Sequence, residues 1–239
     1  MAKLFFGQPR VKICCIASVE EVSSAIQAGA SMLGLVSAMP SGPGVIPDDN
    51  IAEIARRIPP GVESFLLTSS TDVDVIIEQH RKARTTALQI VDRLAAGAHD
   101  SLRRALPGIR VVQVVHVTGY AAIEEARALA HVVDAVTLDS GNADPTVREL
   151  GATGRTHDWS ISRMIRDELE IPVILAGGLN STNVREAIRT VQPYGIDVCT
   201  GVRDPAYKLD VTRLRHFMKE VRMEDGPPTP ASPGQDVAG

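Results

Sequence analysis

The chain has 239 residues, 44% hydrophobic and 23% charged, with a formal net charge of -4. That length suits one (βα)8 barrel of ~250 residues, and a mildly acidic chain without a basic stripe carries no nucleic-acid footprint. No apolar run approaches the ~20 residues of a membrane span, MAKLFFGQPR lacks a signal-peptide core, and three cysteines do not make a disulfide framework, so a cytoplasmic protein is expected.

VKICCI (11–16) reads as a first strand, and SVEEVSSAIQAGA as the helix behind it, with Ser18 as N-cap and Gly29 near its stop. MLGLVSA (32–38) leads to DDNIAEIARRI, VESFLLTS (62–69) to TDVDVIIEQHRKA, and ALQIVD (87–92) to the shorter AHDSLRRAL. RVVQVVHV (110–117) precedes AIEEARALAHV, and AVTLDS (135–140) precedes DWSISRMIRDEL. PVILAG (172–177) precedes STNVREAIRTV, and GIDVCTG (195–201) precedes KLDVTRLRHFMKEVR. Most of the apolar runs are continuous, as parallel strands covered on both faces require, and most intervening segments repeat apolar residues at i, i+3, i+4. Eight alternations predict an α/β fold, a single (βα)8 TIM barrel with a closed parallel eight-stranded sheet, over residues 1–222. The stretch 223–239 is rich in Pro, Gly and polar residues and is predicted to be a disordered tail.

In such a barrel the working groups sit at the C-terminal ends of strands and in the loops after them. This selects Cys14, Asp92, His116, Asp139, Asp197 and Cys199, with the loops at 39–47 and 140–157. AGGLN (176–180) and CTGVRD (199–204) follow strands seven and eight. There Gly177, Gly178 and Gly201 let backbone N–H groups approach a phosphate. Lys12 shares a strand face with Cys14 and can supply a cation to the thiol or pair with Asp197. Cys15 is expected to face the helices as a small buried hydrophobe. Cys199 lies on the strand that closes onto strand one, so a Cys14–Cys199 disulfide is an option. A metal site of the three cysteines with His116 lacks close ligand spacing, and no metal is expected.

Together these segments resemble the phosphoribosylanthranilate isomerase family of tryptophan biosynthesis. The resemblance runs from Val11 to about Val221. It is carried by VKICCIASVEEVSSAIQAGASMLGLV, LDS, GATGRTHDW, ILAGGLNSTNV and PYGIDVCTGVRD. It implies a TIM barrel that catalyses the Amadori rearrangement of an aminoribose 5-phosphate without a cofactor. It implies Cys14 as general base, Asp139 as general acid, and a phosphate grip of Gly177, Gly178, Asn180, Thr200 and Gly201. Lys12, Asp197, Gly154 and His116 complete the expected substrate-facing set. The expected partner is a small-molecule sugar phosphate, with no nucleic acid or membrane, and the chain is expected to be a monomer or homodimer.

The sequence also departs from the family pattern. Cys15 stands where the family has glycine, and no arginine lies between Gly34 and Ala55, where the family carries one for the anthranilate carboxylate. Val91–Asp92 replaces a His-Gly pair, and His116 stands where an arginine is common. The phosphate and proton-transfer sides match while the amine side does not, so an amine part other than anthranilate is one expectation. A catalytically silent sugar-phosphate binder, or an isomerase or lyase acting on another phosphorylated sugar, is the alternative. His116 and Arg155 are then the candidates to meet an anionic amine part.

Overall fold

The computed structural model describes residues 8–40, 42–141 and 156–222. Eight parallel strands close in sequence order: β1 (Arg10–Ile13), β2 (Met32–Val36), β3 (Glu63–Thr68), β4 (Ala87–Ile90), β5 (Arg110–His116), β6 (Ala135–Asp139), β7 (Val173–Leu175) and β8 (Gly195–Val198). β8 pairs back onto β1, with Lys12 opposite Asp197 and Ile13 opposite Val198. The helices between them are α1 (Val19–Ala28), α2 (Asp48–Ala55), α3 (Val73–Ala83), α4 (Ala98–Ala105), α5 (Ala121–Leu129), α6 (Trp159–Glu168), α7 (Val184–Val191) and α8 (Val211–Arg222). The expected TIM barrel is the observed fold. The predicted tail, and the expected contacts at Gly154 and Arg155, lie outside the described residues.

Two buried layers explain why the strands read as unbroken apolar runs. Val11, Ile13, Leu33, Leu35, Leu66, Leu88, Val111 and Val115 pack outward against the helices. Their alternates, among them Met32, Val36, Phe65, Leu67, Val112, Val114 and Ile174, fill the barrel interior. With a period of two, both faces are buried, so both must be apolar. Helix ends follow local chemistry. The Ser18 side chain accepts from Glu21 N, and Gly29 closes α1 at φ 102, a left-handed value that glycine adopts freely. No helix among the described residues is long and apolar enough to cross a membrane.

Two strands end three residues earlier than the sequence reading, and the others one or two. β1 stops at Ile13 rather than 16, because Cys15 takes φ 62 and leaves the extended ladder. β8 stops at Val198, and Thr200–Val202 forms a short 3-10 turn where a strand was expected. Both changes fall at the C-terminal rim, where backbone groups released from the sheet become available to the pocket.

Candidate active site

A pocket of about 200 Å³ opens at that rim, and its walls follow the order of the strands. Cys14 enters from the end of β1 and Asp139 from the end of β6. Between them on one arc, Val36, Met39, Pro43, Leu67, Val91 and Val114 make an apolar wall from β2 to β5. On the other arc, Gly177, Gly178, Asn180, Thr200 and Gly201 line it from the loops after β7 and β8. Two ionisable side chains thus divide an apolar half from a half built of backbone.

The backbone half has the features of an anion seat. Gly177 and Gly178 take φ 84 and 61, a region that side-chain-bearing residues enter only at a cost. Gly201 is packed so closely that a Cβ there would lie 2.1 Å from Leu179 O, so the two loops touch at this point. Among the described residues, the N–H groups of Gly177, Gly178, Thr200 and Gly201 have no acceptor. Four free donors on two abutting loops suit a phosphate. Asn180 lines the pocket and also shapes its loop. Its Oδ1 accepts from Thr182 N at 2.8 Å and Thr182 Oγ1 at 2.6 Å, so the side chain shapes the loop into α7.

Beneath the pocket, Lys12 is fully buried and its Nζ lies 2.6 Å from Asp197 Oδ2. Lys12 thus pairs with Asp197, and its Nζ and Cys14 Sγ both pack over Gly34. A Cβ on Gly34 would lie 2.9 Å from Cys14 Sγ and 3.1 Å from Lys12 Nζ. Burial alone would lower the pKa of Lys12, but the charges of Asp197 and Cys14 outweigh it and keep the ammonium protonated. Burial pushes Asp197 up to about 7, against the pull of Lys12. Asp197 Oδ1, Thr137 Oγ1 and Gln89 Oε1 are buried without a hydrogen-bond partner among the described residues. All three residues line the pocket, so a ligand rich in hydroxyl groups would satisfy them.

Asp139 and Cys14 are poised in opposite directions. The Cys14 thiol is held well below its ordinary range, first by hydrogen bonds from Cys15 and Cys199 and then by Lys12, with burial opposing. Cys15 and Cys199 are pushed up because they serve as donors to Cys14, so the thiolate resides on Cys14. Asp139 is raised, chiefly by burial, although His116 and the Ser140 N–H at 2.7 Å pull the other way. A raised carboxylic acid beside a lowered thiol is the pairing that a proton relay at neutral pH needs.

Cys15 does not face the helices. Its left-handed backbone, which costs a non-glycine residue ~1–2 kcal/mol, turns the side chain into the pocket wall. There its Sγ lies 2.7 Å from Cys199 Sγ. The sulfurs of Cys14, Cys15 and Cys199 all lie within 4.8 Å of one another. Sequence spacing hid this cluster, because barrel closure brings position 199 beside 14 and 15. His116 is not in it and is not part of the pocket wall. Its Nε2 donates to Val91 O at 3.3 Å, which turns the ring toward the end of β4.

One structural residue went unassigned in the sequence. Arg203, almost wholly buried, donates from Nη2 to Cys14 O at 2.8 Å and from Nη1 to Glu21 Oε1 at 3.1 Å and Tyr207 O at 3.0 Å. Glu21 also accepts from Ala17 N at 3.0 Å and Leu209 N at 2.9 Å. This clamp fixes the ends of β1 and β8 against each other. The Arg203–Glu21 partners are separated by 182 positions, so only an arginine beside the TGV segment hinted at it.

Comparison with known proteins agrees with this geometry. The family model described as N-(5'phosphoribosyl)anthranilate (PRA) isomerase matches residues 11–220. An N-(5'-phosphoribosyl)anthranilate isomerase of Haloferax volcanii is 37% identical over 218 residues, covering 91% of this chain and 95% of the relative. One from Methanocella arvoryzae is 34% identical, covering 90% and 98%. Among solved structures, the phosphoribosyl anthranilate isomerase of Thermotoga maritima superposes with a TM-score of 0.77 at 26% identity, covering 89% of this chain and 98% of that one. Matched along almost its whole barrel, the chain belongs to the N-(5'phosphoribosyl)anthranilate (PRA) isomerase family.

Proposed function

We propose that this chain is a phosphoribosylanthranilate isomerase, converting an N-linked aminoribose 5-phosphate to the corresponding aminodeoxyribulose 5-phosphate without a cofactor. One observation carries the reading: a raised carboxylic acid and a lowered thiol open onto one pocket, beside two loops with free N–H groups. The phosphate lies in the seat formed by Gly177, Gly178, Thr200 and Gly201 and fixes one end of the ribose. Asp139 donates its proton to the ring oxygen, and the ring opens to an iminium at C1. The iminium acidifies the C2 proton, which the Cys14 thiolate removes, giving an enolamine. Return of a proton to C1 and loss of the O2 proton complete the ketose, so the net change is an isomerisation. Each general acid or base step of this kind contributes ~10²–10⁴ in rate.

The apolar arc from β2 to β5 receives the amine part. Its Val36, Met39, Pro43, Leu67, Val91 and Val114 give a surface suited to a flat ring. Apolar contact with these side chains holds the ring there. The test is conversion of phosphoribosylanthranilate in D2O, followed by proton NMR. Turnover with deuterium incorporated at C1 supports the assignment. Tight binding without turnover or exchange would instead make the chain a silent sugar-phosphate binder.

A further inference from the structure

We propose that Cys14, Cys15 and Cys199 form a binding site for one thiophilic metal ion, of the Cu(I), Zn(II) or Cd(II) class, in the pocket wall. Three observations converge on it. The sulfurs arrive from two strand ends that are neighbours only after barrel closure, and they lie mutually within 4.8 Å. Metal–sulfur bonds of ~2.3 Å place the sulfurs of a tetrahedral site ~3.8 Å apart. Cys15 and Cys199, at 2.7 Å, would open by ~1 Å to reach that spacing. Second, Cys15 occupies a left-handed backbone position, which swings its thiol away from the helical layer and into the cluster. Third, all three residues line the pocket, so an ion has a path from solvent.

The surroundings suit a bound thiolate set. Tyr207 Oη lies 3.0 Å from Cys199 Sγ and is placed to donate a hydrogen bond to it, the outer contact that orients a ligand. The Lys12 ammonium near Cys14 offsets part of the negative charge that three thiolates bring. Soft sulfur ligands select the thiophilic ions over Mg(II) or Ca(II), which take oxygen. Cys14 ligates as the thiolate, Cys15 and Cys199 each release a proton to solvent on binding, and no sulfur changes oxidation state. An ion held this way occupies the sulfur that abstracts the C2 proton, so it shuts the isomerase off. That consequence rests on the isomerase reading; the site itself does not.

The experiment titrates the full chain with Cd(II), kept reduced by a non-thiol reductant. It follows sulfur-to-cadmium absorption, and alkylation of each cysteine by peptide mass spectrometry. Saturation at one ion per chain, with all three cysteines protected together, is expected. Cys15→Gly removes one ligand at a position whose backbone glycine favours. It is expected to weaken Cd(II) binding by ~100-fold or more and to cut the saturating absorption by about a third. A thermal melt verifies that this variant folds, and Cys199→Ala is the second variant. Saturation far below one ion, unchanged affinity in Cys15→Gly, or Cys14 left open to alkylation overturns the site. A Cys15–Cys199 disulfide that persists in reductant also overturns it. An inactive chain that binds Cd(II) refutes the isomerase reading alone, and an active chain that does not bind it refutes the site alone.

Discussion

Replacing Lys12 by methionine removes one half of the buried ion pair under the pocket. Lys12 is fully buried and Asp197 is 7% exposed, with 2.6 Å between Nζ and Oδ2. Breaking such a pair leaves an uncompensated buried charge, at a cost of ~3–5 kcal/mol. Asp197 moderates the loss, because burial already pushes its pKa up to about 7 and it takes a proton once the cation is gone. The expected loss at neutral pH is therefore at the lower end, ~3 kcal/mol, or ~6–12 °C in Tm for a chain of this size. The pH dependence has a fixed sign. A carboxyl whose folded pKa exceeds its unfolded value near 3.8 keeps its proton in the fold. Wild type loses stability on that account from pH ~4 to about 7, but without Lys12 the carboxyl titrates higher still, so the variant goes on losing stability above pH 7 and its deficit against wild type widens there. Lys12→Met with Asp197→Leu removes both charges and recovers most of the loss, with a coupling of ~2–3 kcal/mol in urea unfolding. Single variants costing less than ~1 kcal/mol each, or a double variant as damaging as their sum, would refute a mutually dependent pair.

Cys14→Ala and Asp139→Asn should each lower kcat/KM by ~10³-fold or more while moving Tm by only a few degrees. Equal losses in kcat and Tm in either variant would place the residue in packing rather than proton transfer. Gly201→Ala forces a methyl group against Leu179 O and separates the two anion loops, so KM rises for phosphorylated substrate and inorganic phosphate inhibits less. Unchanged phosphate inhibition would remove those loops from the seat. His157, lowered to about 4 by burial, is neutral in the fold and must take a proton on unfolding. Its contribution is present above pH 6.5 and is lost as pH falls toward 4, by at most ~3 kcal/mol. His157→Gln should therefore flatten the stability difference over that window, and parallel wild-type and variant curves would count against it.

The barrel was legible from the residues, because eight apolar runs buried on both faces and eight amphipathic segments admit few other arrangements. Strand-end position also singled out Cys14, Asp139 and the glycines after strands seven and eight, which line the pocket, together with His116, which does not. Short-range chemistry sufficed there: a left-handed turn favours glycine, and Ser18 caps the start of α1. What the residues alone left open was everything made by closure of the ring. Lys12 beside Asp197, Arg203 on Cys14 O and Glu21, and Cys199 against Cys15 are each joined across more than 180 positions. The direction of the Cys15 side chain was misjudged for a related reason. Strand periodicity sends it outward, but its left-handed backbone ends the period, where Gly44 of the loop after β2 packs against it.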